Sequence, residues 1–110
     1  MKQRGSETPA VDDSAEDSLC RALLALDSLQ DMRAFLRDLC TPAELEAMTD
    51  RWRVVPMILE GIPYREIYDR TGVSITTVGR VARFINHGNT GYLTAIEAVA
   101  KPARRNRVMS

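Results

Sequence analysis

A chain of 110 residues has room for one small domain and short arms, and its fifteen basic and fifteen acidic side chains cancel, which argues against a uniformly basic nucleic-acid coat. Aromatic residues make up 5%, strand-like alternation is absent, and apolar residues recur at intervals of three and four, so the expected class is all-α. No apolar run approaches the roughly 20 residues of a membrane span. With two cysteines there is no zinc set, and no signal peptide precedes them, so Cys20 and Cys40 are expected to be reduced, structural thiols of a cytoplasmic protein.

The neutrality hides an asymmetry. Residues 1–50 carry five basic and eleven acidic groups, a net of −6, whereas residues 51–110 carry ten basic and four acidic, a net of +6. One end of the molecule is therefore suited to face an anion.

Residues 1–13 mix Gly, Ser, Pro and both charge signs without periodicity and are expected to be a disordered arm. Ser14 is the expected N-cap of a first helix, with Glu16 and Asp17 in its first turn and Leu19, Leu23, Leu26 and Leu29 along one face. A chain this short exposes that stripe unless a second copy covers it, so a dimer is expected. Met32, Phe35, Leu36 and Leu39 continue the spacing as a second short helix or a bent continuation, ending near Cys40. Thr41-Pro42-Ala43-Glu44 then starts a third helix, with a capping threonine, a first-turn proline and a glutamate able to reach back to the cap. Its expected inner face is Leu45, Met48, Trp52, Val55 and Leu59, with Trp52 in the core, Pro56 bending the last turn and Gly61 closing it.

The next stretch, Tyr64 to Asn86, has the makings of a helix-turn-helix. Tyr64, Ile67 and Tyr68 give a two-turn packing face, Gly72 allows a sharp reversal, Val73 plugs the corner and Ser74 caps the following helix. On a wheel of that helix Ile75, Val78, Val81, Ala82 and Ile85 share one arc, and Thr76, Arg80 and Arg83 cluster opposite. Such an outward face can reach phosphates and base edges without the repulsion that carboxylates would bring. His87 to Gly91 reads as a connecting loop, Tyr92 to Ala100 as a last helix stopped by Pro102, and residues 102–110 as a basic, solvated tail.

Other chemistries find little support. His87 is the sole histidine and has no Cys, Asp or Glu at ligand spacing, so no metal or other cofactor is expected. The loop before Tyr92 lacks the Gly-Lys-Ser/Thr of a phosphate cradle. Ser18, Ser28 and Thr49 have no base nearby in any foreseeable geometry, so an enzyme is not expected.

The residues from Thr41 to Tyr92, above all Thr-Pro-x-Glu, Arg51-Trp52-Arg53, Tyr64-Arg65-Glu66-Ile67 and Gly72-Val73-Ser74 with Arg80, resemble the Trp repressor family, most closely its YerC/YecD-type members. That resemblance implies an all-α, multi-helix, intertwined homodimer that binds operator DNA as a transcriptional regulator. It also implies an effector pocket. The two arginines that sandwich an indole in the tryptophan-binding members match Arg51 and Arg80, but a glycine there is Val81 here and a small serine is Phe84. The added volume argues against tryptophan as the effector, and fold resemblance does not carry the ligand with it. Phe84 is otherwise expected to pack against the partner chain.

The resulting expectation is a helical domain over residues 14–101 acting as a homodimeric, DNA-binding regulator, expected to repress. Arg65, Ser74, Ile75, Thr76, Thr77, Arg80 and Arg83 would face double-stranded DNA, and Arg51, Arg80, Val81 and Phe84 would line the candidate effector pocket. Competing readings are a protein-interaction module and a small-molecule sensor on the same scaffold.

Overall fold

A computed structural model of the chain describes residues 13–101, which form seven α-helices and no strand. The arm expected over 1–13, apart from Asp13, and the tail expected over 102–110 lie outside the described residues. The chain divides into two compact units, Met1–Pro42 and Ala43–Ser110.

In the first unit α1 spans Asp13–Ala25 and α2 spans Leu29–Leu39. The helix already runs at Asp13, so Ser14 lies within α1 rather than capping it. Leu29, expected on the first helix, instead opens the second. The reason is Ser28, whose extended backbone (φ −127°, ψ 146°) breaks the run and whose Oγ accepts from Asp31 N–H at 3.0 Å, an N-cap that competes with helix continuation. No residue of α2 is buried, and Leu24 and Leu29 are 84% and 74% exposed. Leu23, Leu26, Met32, Phe35 and Leu36 are half-buried. Cys20 is exposed and Cys40 half-buried, and both are free thiols, though their helix-face positions suggest burial.

The second unit holds α3 (Pro42–Arg53), α4 (Val55–Leu59), α5 (Tyr64–Thr71), α6 (Ile75–His87) and α7 (Gly91–Val99). The third helix starts at Pro42 as its sequence signal dictates, but it does not run to Gly61. It stops at Arg53, and Val54 (φ −88°, ψ −8°) begins α4 with Pro56 in that helix's first turn, where the missing N–H costs nothing. What the sequence suggests as a bend is a break. At the break Val54 and Val55 are both fully buried, whereas α3 buries no residue, and Met48, Trp52 and Leu59 are partly exposed.

Gly61 fulfils its expected role. At φ 80° it follows α4 in a Schellman motif, with its N–H donating to Ile58 O at 3.0 Å and Ile62 N–H donating to Met57 O at 3.1 Å. The core then gathers Val54, Val55, Ile67, Val73, Val78, Val81 and Ile85, with Met57, Ile58, Ile62, Tyr92 and Ile96 packed against it. Helix α6 is its centre, packing on α4, α5 and α7. Burying each such side chain is worth roughly 1.5–3 kcal/mol.

Candidate nucleic-acid interface

The turn between α5 and α6 is built from four side-chain and backbone devices. Gly72 takes φ 81°, a left-handed conformation that closes α5, and its N–H donates to Tyr68 O at 2.8 Å. Thr71 Oγ1 donates to Ile67 O at 2.8 Å and accepts from Val73 N–H at 3.0 Å, stitching the corner from inside. Val73 is buried beneath it. Ser74 caps α6, its Oγ accepting from Thr77 N–H at 3.1 Å and donating to Thr77 Oγ1 at 3.1 Å. From the end of α3, Arg53 Nη1 donates a long bond of 3.4 Å to Thr71 O, a cation at a helix C-terminus.

This corner fixes which face of α6 looks out. Val78, Val81, Ala82 and Ile85 are buried, while Thr76, Arg80 and Arg83 are exposed. Ile75 sits at the rim, partly exposed although its wheel position points inward, because the first turn of α6 projects beyond the core. Thr77 is half-buried with its hydroxyl engaged by Ser74, so its side chain serves the cap as well as the leading edge. Arg65, Tyr68, Ser74, Ile75 and Thr76 line an open cleft of about 310 Å³ at the α6 N-terminus, which brings Arg65 of α5 beside the leading residues of α6. Ion pairs join Arg70 to Glu66 and Lys101 to Glu97, and among the described residues no carboxylate neutralises Arg65, Arg80 or Arg83.

A second cleft, of about 530 Å³, opens between the end of α3, α6 and α7. Arg51, Trp52, Arg80 and Phe84 line it together with Asn89, Gly91, Tyr92 and Ala95. Arg51, Arg80 and Phe84 thus meet in one cleft, but Val81 does not line it: one position on from Arg80 the helix has turned about 100° inward, and Val81 is wholly buried in the core. Trp52 is 39% exposed in the cleft wall rather than in the core where its stripe suggests, as α3 buries no residue. Asn89, Tyr92 and Ala95 escaped sequence reasoning. The signal that could have found them is the Asn89-Thr90-Gly91 corner, where Thr90 holds φ 65° and α7 begins. His87 is the last residue of α6, and no metal-binding cluster occurs among the described residues.

Phe84 contacts two arginines of its own helix. The residue is 41% exposed and its ring lies beneath two cations, with the Arg80 guanidinium carbon 5.1 Å and that of Arg83 6.0 Å from the ring centroid.

A short helix, a glycine-closed corner, a capped second helix packed by its inner face and an outward face of uncompensated arginines define a helix-turn-helix protein. The sequence profile of the family described as Trp repressor protein matches residues 15–100, and the chain belongs to that family. A Bacillus subtilis (strain 168) protein named YerC, itself uncharacterised, is 37% identical over 83 residues, 76% of this chain and 80% of its own length. Two crystal structures have the same fold. A TrpR-like protein from Eubacterium eligens superposes with a TM-score of 0.74 at 34% identity, covering 80% of this chain and 91% of that one. A candidate Trp repressor from Staphylococcus aureus gives 0.74 at 32% identity, covering 79% and 87%.

Proposed function

We propose that the protein is a sequence-specific DNA-binding transcriptional regulator, a repressor, that works as a homodimer and does not respond to tryptophan. The observation that carries this reading is the division of α6 into a buried face and an exposed one bearing Thr76, Arg80 and Arg83, with Arg65 beside its N-terminus. Inserted in a major groove, the leading residues Ser74 to Thr77 meet base edges while Arg65, Arg80 and Arg83 meet phosphates. Family membership supports the same reading.

The homodimer rests on the first unit, in which no residue of α2 is buried and Leu24 and Leu29 stand in solvent; a second copy is the natural cover for such a face. Indifference to tryptophan rests on Phe84, whose ring occupies the wall of the Arg51–Arg80 cleft. The same cleft favours a second reading, a sensor for another small molecule, because two arginines and three aromatic side chains converge on it. Selection of bound sequences from random duplex DNA tests the main reading. A palindromic consensus is expected, and enrichment of no sequence refutes it.

A further inference from the structure

We propose that Phe84 is the positioning residue of the DNA-binding face: its ring holds the Arg80 and Arg83 side chains toward phosphate without neutralising them. The inference rests on the DNA-binding reading above. An arginine on an exposed helix surface loses rotamer entropy when a contact fixes it, and proteins commonly orient one with a carboxylate. Among the described residues neither Arg80 nor Arg83 makes an ion pair, yet both guanidiniums lie within about 6 Å of one ring centroid.

A ring and a carboxylate differ in what they leave available. A carboxylate accepts the in-plane N–H donors and cancels the charge, so both must be recovered before a phosphate can bind. A ring attracts the cation through its face, and a guanidinium lying over it keeps its five N–H donors at its edge and its full positive charge. The spacing favours this arrangement, since positions 80 and 84 are one turn apart on the same side of α6 and Arg83 folds over from the neighbouring position. An exposed aromatic beside two arginines would otherwise be an apolar liability on a polar face. Its position beneath both guanidiniums, outside the core cluster, marks it as part of the surface that works.

The test compares wild type with Phe84→Leu, Phe84→Tyr, Arg80→Ala/Arg83→Ala and that double variant carrying Phe84→Leu. Affinity for the selected duplex and a scrambled one is measured across salt concentrations, with thermal melting and sedimentation as controls. Phe84→Leu is expected to bind both duplexes about three- to tenfold more weakly and with a flatter salt dependence, since phosphate contacts carry no sequence information. Phe84→Tyr, which keeps the ring face, restores wild-type binding, and Phe84→Leu adds nothing in the background lacking both arginines. Wild-type affinity for Phe84→Leu overturns the proposal. So does a loss that persists without the arginines, which would make the ring itself a DNA contact, or a loss that tracks dissociation of a dimer, which would place the ring at the interface between copies. If wild type binds no duplex, the DNA-binding reading falls and this inference with it, an outcome distinct from binding that Phe84→Leu leaves intact.

Discussion

Replacing Gly72 by alanine isolates the backbone cost of the helix-turn-helix corner. At φ 81° the residue is left-handed, and a Cβ built there meets no atom within 4 Å, so alanine brings no clash. What remains is the intrinsic penalty of about 1–2 kcal/mol for an L-residue in that region, offset by about 0.4–1 kcal/mol because alanine also restricts the unfolded chain. The net loss is about 1 kcal/mol, a fall in Tm of about 4–8 °C for a domain of this size. Gly61 is an internal control, with φ 80° and nothing within 4 Å, and Gly61→Ala should cost the same. Asparagine, which tolerates the left-handed region, should recover part of the loss at either site. Urea and thermal denaturation followed by circular dichroism measure all four variants. A stabilising Gly72→Ala would mean that the corner can leave positive φ, refuting the argument that glycine sets the angle between α5 and α6. A loss above about 3 kcal/mol would refute the claim that the space is open.

Ser74→Ala removes an N-cap and should cost about 0.5–2 kcal/mol by denaturation, with Ser74→Gly milder. Leu23→Asp places a charge on the half-buried leucine face of α1 and should give unfolded or aggregated protein, whereas wild type should sediment as a dimer at micromolar concentration; a folded wild-type monomer would sink the dimer. Tryptophan at millimolar concentration should give no saturable heat in calorimetry and no tighter operator binding. Arg83→Ala should weaken all duplexes and reduce the salt slope by about one unit, while Thr77→Ala should relax base preference at one position at a cost of about 1–3 kcal/mol. Because Thr77 Oγ1 also accepts from Ser74 Oγ, its melting temperature must be measured alongside.

Local chemistry made much of the fold legible. Thr41-Pro42, Gly61 and the run Gly72-Val73-Ser74 each act within a few residues of themselves, and the structure places a helix start, a left-handed closure and a plugged, capped corner at those positions. The errors came where two local signals competed. Ser28 could continue a leucine stripe or cap a new helix, and periodicity alone does not register the hydrogen bond to Asp31 N–H that decides it. Trp52 lies on a regular apolar stripe, but periodicity does not say what covers that stripe, and α3 buries no residue. For the outward face the wheel separated Thr76, Arg80 and Arg83 from the core correctly, and it also placed Val81 inward, in conflict with a pocket role carried over by resemblance. The stacking of Arg80 and Arg83 on Phe84 depends on side-chain conformers, which spacing permits without prescribing.

The joint at Val54 bears on how the chain tolerates insertions and deletions. Two consecutive residues of one helix point about 100° apart, yet Val54 and Val55 are both fully buried, anchored in the same core from either side of the break. With both anchors fixed, a residue inserted between Arg51 and Val54 has nowhere to be absorbed except upstream. Helix α3 would turn by about 100° about its axis, carrying Arg51 out of the cleft it shares with Arg80 and Phe84 while leaving the helix-turn-helix core untouched. Such a one-residue length variant would keep its fold and its recognition helix but lose the cleft, so homologues that retain a ligand there should show no gain or loss of length across this joint, however freely their other residues vary.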